Sequence, residues 1–302
     1  MARFLKSTDT LNFAVEKAVA TITLNRPERH NALSEQLIDE LHGALLEADA
    51  RRDVNAILLQ GAGKSFCAGY DLTGVYAGMA DSGEDAAAYR STNATIDDDC
   101  WAMELTQRKL SIIPQLHKPV IAKIHGNCLA GGTDLALSCD IVLAADDCRI
   151  GFPAARANGT PPSNYWMYHC GPQWAKRLLF TGDTILGRDA ARIGLVMDCY
   201  PHDSLDNEAI ALARRVALVD AELLSSHKRV VNLSMELAGA TTLQRLATEL
   251  DARAHLSRGP RRTQFREDMA GPGLRTALQN RDAPFGDSTV TVRWAATDGG
   301  SK

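Results

Sequence analysis

Apolar and polar positions follow two alternating patterns in the first half of the chain. Runs rich in β-branched and aliphatic residues, at 18–25 and 54–61, end in turn residues and predict buried strands. Between them, residues 34–51 carry apolar side chains at helical spacing, and Ser34 is a suitable N-cap. The pattern therefore predicts a strand, a helix and a second strand in succession.

A second cycle of the same kind follows further along the chain. Apolar runs predict strands over 119–126 and 140–145, with a glycine-containing turn and a helix near 132–139 between them. A shorter run at 148–153 predicts one more strand. Strand–helix–strand cycles are typical of a layered α/β fold with buried parallel strands.

The pattern changes at about residue 205. Beyond it, helical periodicity continues with almost no strand signal, so we expect a core over 1–204 and a helical C-terminal region with its tail over 205–302. The last thirty residues, rich in Gly, Pro and Asp, predict an irregular tail. The acidic, polar insert at 81–100 predicts a mobile loop.

Composition narrows the class of protein. The chain has 302 residues, of which 45% are hydrophobic, and 33 basic against 37 acidic residues give a net charge of −4. This balance is ordinary for a soluble globular protein and is a poor match to a dedicated nucleic-acid binder. The seven cysteines include no C-x-x-C pair, which favours reduced thiols. With no signal-peptide pattern and no long apolar run, we expect a cytoplasmic protein that is not bound to a membrane.

Several motifs of nucleotide, metal and hydrolase chemistry fail on inspection. The segment GAGKS at 61–65 lacks the first glycine of a phosphate-binding loop, because Leu58 stands there, and Phe66 breaks the dinucleotide pattern. The eight histidines form no metal-ligand spacing, and no G-x-S-x-G nucleophile motif occurs. We therefore predict no metal site.

Two glycine-containing segments, 65–72 and 125–144, each lie next to a predicted strand. Gly131 and Gly132 are expected at the entry to a short helix, where backbone N–H groups lack partners within the helix. An N–H near Tyr70 in the first segment could point at the same place. Two such donors on one oxygen form an oxyanion hole, in which each donor is worth about 3 kcal/mol of transition-state stabilisation. The alternative is a pair of strand-to-helix turns in which glycine only relieves steric strain.

These segments resemble, in order and spacing, the crotonase superfamily, which is the enoyl-CoA hydratase/isomerase family. The similarity extends over about 12–200 and more weakly through the helical end. The matching motifs are NRPERHNALS (25–34), SFCAGYDL (65–72), KPVIAKIHGNCLAGGTDLALSCDIVLA (118–144) and IGFPAARANG (150–159).

The resemblance implies a crotonase-like spiral of ββα units with a helical C-terminal region, assembled as a homotrimer or a dimer of trimers. It implies an acyl-CoA thioester substrate that brings its own CoA, so no separate cofactor is expected. The oxyanion-hole donors map onto the backbone N–H groups of Tyr70 and Gly131. The residues expected to bind the rest of the substrate are Arg29, His30, Ala68, Asp71, Leu72 and Gly132.

The family's hydratases use two glutamates, and this chain departs from both. The position of the first, which orients and activates water, is Asp134, whose side chain is one methylene shorter. An acid in the first turn of a helix is also explained by the helix dipole alone. The position of the second, which handles the proton at Cα, is Ala154. Candidate replacements are Tyr165, Tyr168 and His169, while Arg156 and Asn158 are candidates for binding a polar acyl group.

We expect an acyl-CoA-processing enzyme that stabilises a thioester enolate, with Asp134 as the proton-transfer group. An enoyl-CoA hydratase-like lyase is the leading hypothesis. A single-acid isomerase, decarboxylase or thioester hydrolase, or a catalytically silent acyl-CoA-binding protein, are the alternatives; the acidic balance argues against RNA binding. The CoA phosphates would require local cations, and the candidates are Arg26, Arg29, Arg258, Arg261, Arg262 and Arg266. For the cluster at 258–266, the alternative is a solvated surface with no role in binding.

Overall fold

The computed structural model describes residues 7–74, 90 and 95–293, and its strands form two sheets. The larger sheet has six strands in the order β1-β2-β3-β4-β6-β9, and the smaller has four in the order β10-β8-β7-β5. The strands are β1 Leu11–Glu16, β2 Val19–Leu24, β3 Ala56–Gly61, β4 Val120–Ile124, β5 Asn127–Leu129, β6 Ile141–Ala145, β7 Arg149–Gly151, β8 Thr184–Leu186, β9 Asp198–Tyr200 and β10 Thr289–Val290.

Helices flank the larger sheet and make up most of the C-terminal region. Short 3-10 turns lie at Pro27–Arg29, Ile113–Gln115, Pro153–Arg156 and Ala283–Phe285. The helices are α1 Glu35–Ala50, α2 Ile96–Leu110, α3 Gly131–Leu137, α4 Trp166–Thr181, α5 Gly187–Arg192, α6 His202–Val216, α7 Ala221–Leu237, α8 Ala240–His255, α9 Pro260–Ala270 and α10 Leu274–Asp282.

The centre of the larger sheet is parallel and buried, as the continuous apolar runs predict. Only the β1–β2 pair of this sheet is antiparallel. Every residue of β4 is buried, and β3 is buried except for Gln60. Strands covered on both faces have no solvated side, which is why these runs do not alternate between apolar and polar residues. The predicted α/β core is confirmed.

Helix α1 illustrates how the sequence determines an element. The Ser34 hydroxyl accepts the N–H of Leu37 at 3.3 Å, which caps the helix where the sequence predicts its start. Leu37, Leu41 and Leu45 are fully buried on one face, against the sheet. Burying each such side chain contributes about 1.5–3 kcal/mol relative to leaving it exposed.

Two expectations about irregular segments are wrong where the structure describes them. Residues 96–100 of the predicted mobile loop begin α2, because Thr95 caps the helix through the Asp98 N–H at 3.0 Å and three acidic residues occupy its first turn. Residues 81–89 and 91–94 of that loop lie outside the described residues. The predicted irregular tail contains α10 and β10, and β10 pairs with β8.

Within the described ranges, no helix combines the length and apolar character needed to span a membrane.

Candidate active site

The two glycine-containing segments lie side by side, as the sequence predicts. Strand β5 is part of the second segment, 125–144. Its Asn127 carbonyl accepts the Cys67 N–H of the first segment at 3.0 Å. The Leu129 N–H in turn donates to the Cys67 carbonyl at 3.0 Å. This pairing brings the loop at 65–72 against the start of α3.

The backbone N–H groups of Tyr70 and Gly131 belong to chain segments in close contact. Gly69 has φ of +108°, and a Cβ at this position would lie only 3.3 Å from the Gly131 nitrogen and 2.9 Å from the Ala130 Cβ. Glycine is therefore required here both by conformation and by space. Within residues 7–74, 90 and 95–293, neither the Tyr70 N–H nor the Gly131 N–H donates to a protein acceptor.

A strained residue fixes the start of α3. Ala130 has φ of +47°, a conformation that L residues other than glycine rarely adopt and that costs about 1–3 kcal/mol. Its carbonyl accepts the N–H groups of Thr133 and Asp134 and the Thr133 hydroxyl, the last at 2.6 Å. These contacts hold the turn that sets the direction of the Gly131 N–H.

Asp134 occupies the first turn of α3 and is only 3% exposed. Its Oδ2 accepts the Tyr70 hydroxyl at 3.3 Å, and that hydroxyl accepts the Gln107 amide at 2.8 Å. Its Oδ1 is buried and has no hydrogen-bond partner among the described residues. A buried carboxylate oxygen without a partner is unfavourable unless it meets a proton, a water or a ligand.

Burial governs the protonation of this carboxyl. Burial, and next the negative charge of Asp251, raise the pKa of Asp134 well above its usual range, and the hydrogen bond from Tyr70 opposes them only in part. Burial and the charge of Asp134 likewise raise the pKa of Tyr70. These effects favour the protonated form of Asp134, which is the form that a general acid requires.

A small cavity adjoins Asp134. It offers about 10 Å³ to water-sized molecules, roughly enough for one water. The side chains of Asp134, Ser138 and Ser163 contribute to its wall. Gln107, Leu110 and Ser111 of the α2 end complete it.

On the far side of the site, Ala154 lies in the 3-10 turn Pro153–Arg156, and its carbonyl accepts the N–H groups of Asn158 and Gly159. The loop that follows contacts Asp251 and His255 of α8, and His255 contacts Asp99 of α2; we call these three ionisable residues the α8 cluster. The Asp251 Oδ1 accepts the Thr160 N–H at 2.7 Å, and the His255 Nδ1 lies 2.9 Å from the Asp99 Oδ2.

The sequence pattern does not predict that the α8 cluster, Gln107 or the Tyr70 hydroxyl belongs to the site. One available signal was the spacing of Asp251 and His255, four residues apart on a predicted helix, which places both on one face. Their partner Asp99 lies in the acidic segment for which the sequence predicts a loop.

The residues predicted to border CoA form one surface beside the loop at 65–72. The Ala68 N–H donates to the His30 carbonyl at 2.9 Å, and the His30 Nδ1 lies 3.1 Å from the Ser65 hydroxyl. Arg29, His30 and Ala68 are exposed, whereas Asp71 and Leu72 are half-buried. The fold thus brings these predicted residues together at the rim of the site.

Gly132 and Arg26 have contacts within the protein that account for their positions. A Cβ at Gly132 would lie 2.4 Å from the Cys67 carbonyl, so glycine allows the loop and α3 to approach. Arg26 forms an ion pair with Asp71 at 2.9 Å and donates to the Ala32 carbonyl. Asp71 therefore helps to hold the rim through Arg26.

The proposed replacements for the second carboxylate are bonded elsewhere. The Tyr168 hydroxyl donates to the Ala238 carbonyl at 3.2 Å, and the His169 Nε2 lies 2.9 Å from the Leu137 carbonyl. Tyr165 is buried, and no hydrogen bond joins any of the three to Asp134 within the described residues.

The polar candidates of the 153–159 turn serve the fold. Arg156 is buried in ion pairs with Asp183 and Asp282, each at 3.0 Å. The Asn158 Oδ1 lies 3.4 Å from the Arg281 guanidinium. These partners are all part of the protein, so the arrangement stabilises the turn and gives no sign of a polar acyl site.

The arginines of α9 also face this turn. Arg262 donates to the Ala157 carbonyl at 3.1 Å, and Arg266 donates to the His255 carbonyl at 2.7 Å. With Arg156, Asn158 and Arg261, Arg262 lines an open cavity of about 420 Å³. Arg262 is buried rather than part of a solvated surface.

Comparison with known proteins places this arrangement in a family. The sequence model described as Enoyl-CoA hydratase/isomerase matches residues 14–271. The chain belongs to the enoyl-CoA hydratase/isomerase family. It is 32% identical over 231 residues to a probable enoyl-CoA hydratase of Mycobacterium bovis, across 76% of this chain and 83% of that relative.

Solved structures agree with this assignment to the enoyl-CoA hydratase/isomerase family. The crystal structure of an enoyl-CoA hydratase from Mycobacterium smegmatis matches with a TM-score of 0.84 and 36% identity, over 93% of this chain and 96% of that one. An enoyl-CoA hydratase/isomerase from Xanthobacter autotrophicus matches with a TM-score of 0.82 and 31% identity, over 92% and 99% of the two chains. The predicted crotonase-type α/β fold with a helical C-terminal region is confirmed, and the chain is an enzyme of this acyl-CoA-processing family.

Proposed function

We propose that the protein is an enoyl-CoA hydratase-type lyase, which adds water across the α,β double bond of an enoyl-CoA thioester. The observation that carries the proposal is Asp134, a buried carboxyl whose Oδ1 lacks a partner among the described residues, in the turn that presents the Gly131 N–H. The names of the relatives, including the probable hydratase of Mycobacterium bovis, support the same reaction.

The oxyanion hole consists of the backbone N–H groups of Tyr70 and Gly131. As the water oxygen attacks Cβ, negative charge accumulates on the thioester oxygen. The two fixed N–H donors stabilise this charge in the transition state more than they stabilise the neutral oxygen of the ground state. Gly69 and Ala130, both at positive φ, hold the two donors in place before the substrate arrives. Each donor is worth about 3–4 kcal/mol in the transition state.

Asp134 moves the protons of the reaction. In its protonated form it gives a proton to Cα while the oxygen of a water molecule bonds to Cβ. The water loses one proton, which restores the carboxyl, so that enoyl thioester and water become the 3-hydroxyacyl thioester. The adjoining cavity has room for about one water, and Ser138 and Ser163 are among the residues that line it.

The CoA portion of the substrate lies along the rim formed by Arg29, His30, Ala68, Asp71 and Leu72. Arg29 is an exposed cation there, suited to a CoA phosphate. CoA enters and leaves as part of the substrate, and the reaction requires no other cofactor.

We also place the protein in the cytoplasm, in keeping with seven cysteines that form no disulfide.

The second candidate reaction is isomerisation of the double bond. Ala154 supports it, because this alanine stands where the family's hydratases carry their second glutamate. Alanine transfers no proton. A single carboxyl at Asp134 is sufficient to shift a double bond, since it can take a proton from one carbon and return it to another.

Products formed from a panel of enoyl-CoA thioesters in deuterated water distinguish these reactions. Hydration adds the mass of water, isomerisation leaves the mass unchanged except for exchanged hydrogen, and thioester hydrolysis releases free CoA. We expect hydration. A product with no added water and with deuterium at the α or γ carbon would identify an isomerase instead.

Asp134→Asn tests the role of the carboxyl. The amide keeps an oxygen that can accept the Tyr70 hydroxyl, but it carries no exchangeable acid proton at this site. We expect kcat to fall by at least about 100-fold, with little change in the affinity for a non-reactive acyl-CoA. Unchanged turnover would remove Asp134 from the mechanism, and tight binding by a wild-type protein that turns over no thioester would indicate a silent acyl-CoA-binding protein.

A further inference from the structure

Helix α8 packs against the loop that follows Ala154, the position at which the second carboxylate is missing. Three of its residues hold the loop that follows Ala154: the Gln244 side chain accepts the Asn164 N–H at 2.6 Å, the Thr248 hydroxyl donates to the Pro162 carbonyl, and Asp251 accepts the Thr160 N–H at 2.7 Å. The helix is therefore fixed against the loop along its length.

Of these three residues, only Asp251 has a side chain that can release or accept a proton. It is only 4% exposed, and its Oδ1 lies so close to Gly159 that a Cβ there would be 2.2 Å away. Since the Gly159 N–H donates to the Ala154 carbonyl, the Asp251 carboxyl lies beside the segment that begins at Ala154.

The His255 imidazole lies between the carboxyl groups of Asp251 and Asp99. The His255 Nε2 is 3.6 Å from the Asp251 Oδ1, and its Nδ1 is 2.9 Å from the Asp99 Oδ2. Asp99 is 3% exposed, so the imidazole lies between two buried carboxyls. A carboxyl oriented by an imidazole, which is oriented by a third group, is a common arrangement for proton transfer.

Asp251 and Asp134 are both buried, at 4% and 3% exposed. The negative charge of Asp251 raises the pKa of both Asp134 and Tyr70, as a nearby carboxylate does where little water screens it. The small cavity at Asp134 also reaches Ser163, in the loop that Asp251 holds through Thr160. The unpartnered Asp134 Oδ1 is an independent indication that a ligand or water binds at Asp134.

We propose that Asp251 supplies a second carboxyl to the active site, where Ala154 provides none, and that His255 and Asp99 position it. The two proton-transfer roles are exchanged relative to the family's two glutamates, because Asp134 serves Cα and Asp251 serves the water. The inference rests on the proposed hydration. In that reaction the ionised Asp251 accepts the proton that water loses as the oxygen bonds to Cβ, while protonated Asp134 gives its proton to Cα. One proton then passes back from Asp251 to Asp134, and the site regains its starting state.

The charges around Asp251 suit this division of roles. Burial raises the pKa of Asp251 to about 6; Asp99 adds to this effect, whereas His255, the Thr160 N–H and Arg262 oppose it. The pKa of Asp134 is raised well above its usual range. Because a negative charge on Asp251 opposes a second one on Asp134, the pair favours a state with one proton, in which one carboxyl is a base and the other an acid.

Asp251→Asn in the full-length enzyme tests the proposal, because the amide oxygen can still accept the Thr160 N–H. We expect kcat for enoyl-CoA hydration to fall about 100-fold or more and the acidic limb of the pH profile, near pH 6, to disappear. The alkaline limb should also move to lower pH, since Asp134 loses a neighbouring negative charge. His255→Gln should shift the acidic limb with a smaller loss of kcat.

Asp268→Asn is the matched control. Asp268 is also a buried carboxyl of the C-terminal helices, and it accepts the side chains of Gln264 and Asn280. This variant should keep both limbs and a kcat close to that of the wild type. Thermal unfolding and the binding of a non-reactive acyl-CoA show whether Asp251→Asn is folded.

The outcomes separate this inference from the proposed function. If the wild type hydrates an enoyl-CoA and folded Asp251→Asn retains both kcat and the acidic limb, the assignment of Asp251 is overturned and the hydratase proposal stands. If Asp251→Asn does not fold, Asp251→Glu replaces it: a folded Glu variant should retain a displaced acidic limb, and a profile identical to that of the wild type would overturn the assignment. A wild type that hydrates no thioester overturns the hydratase proposal first.

Discussion

Tyr70 takes part in the site through two separate groups. Its backbone N–H is one of the proposed oxyanion donors, and its hydroxyl links Gln107 to the Asp134 carboxyl. The ring also packs against Gly131, where a Cβ would lie 2.8 Å from it. A side-chain substitution can therefore remove the hydroxyl and leave the backbone donor in place.

Tyr70→Phe should change the pH dependence of hydration more than the maximal rate. The hydrogen bond from Tyr70 lowers the pKa of Asp134, so its loss raises that pKa further above the usual range. Protonated Asp134 is the proposed acid, and activity is lost as the pH rises through its pKa. We therefore expect the alkaline limb of kcat/KM to move to higher pH, measured with one enoyl-CoA over pH 5–10.

A matched variant makes this result specific to the hydroxyl at Asp134. Tyr168 also carries a hydroxyl bonded within the protein, but to the Ala238 carbonyl. Tyr168→Phe should leave the alkaline limb in place. If Tyr70→Phe has the wild-type profile, the hydroxyl does not influence the acid of the reaction.

At the scale of elements, the spacing of apolar residues predicts the helices and strands that bury one face each. Helix α1 is identified by Leu37, Leu41 and Leu45 and by its cap, all of which are local signals. The two segments that carry Tyr70 and Gly131 are each recognised locally, as glycine-containing turns beside predicted strands, and the resemblance to the family assigns the roles of Tyr70, Gly131 and Asp134. These parts of the core and of the candidate site can be predicted from the sequence.

The α8 cluster could not be predicted in the same way. Asp251 and His255 lie far from Asp134 along the chain, and Asp99 lies in an acidic segment that has the composition of a loop. What unites them is the packing of α8 against α2 and against the loop after Ala154. Such contacts depend on how helices distant in sequence pack against one another. The spacing of apolar residues within one helix does not determine that packing.

Helix α7 is attached to the core by a buried lysine. The Lys228 ammonium donates to the carbonyls of Ile113 and Lys118 and lies 2.8 Å from the Asp140 Oδ2. Asp140 also accepts the Val120 N–H, so this network joins α7 to the first residue of β4 and to the residue before β6. Removing Lys228 leaves two carbonyls without their donor and leaves the Asp140 carboxylate, whose side chain is 18% exposed, without its cation.

Lys228→Met should lower the free energy of unfolding by about 1–3 kcal/mol, because two carbonyls lose their donor. Urea unfolding at one fixed protein concentration measures the change. Lys176→Met is the control, because Lys176 is exposed on α4 and its replacement should change stability by less than about 0.5 kcal/mol. Equal stability of the two variants would mean that α7 does not depend on this network.

At the scale of the whole molecule, the outer face of α7 is unusually apolar. Val230 and Leu237 are 68% and 82% exposed, and Leu233 between them is 56% exposed. Their spacing of three and four residues places them on one face of the helix. A contiguous apolar surface of this kind on a stable protein marks an interaction site.

We predict that this face of α7 is buried between copies of the chain, in a homotrimer or a dimer of trimers. Light scattering should then give three or six times the chain mass of 32.7 kDa. The double variant Val230→Lys with Leu237→Lys would place two charges in that interface, where an unpaired buried charge is strongly unfavourable, and should shift the mass toward that of the monomer. Glu249→Lys, an exposed charge reversal on α8, should leave the mass unchanged. A wild-type protein that is monomeric at micromolar concentration would contradict the prediction, while leaving the assignment of Asp134 and Asp251 intact, because both lie within one chain.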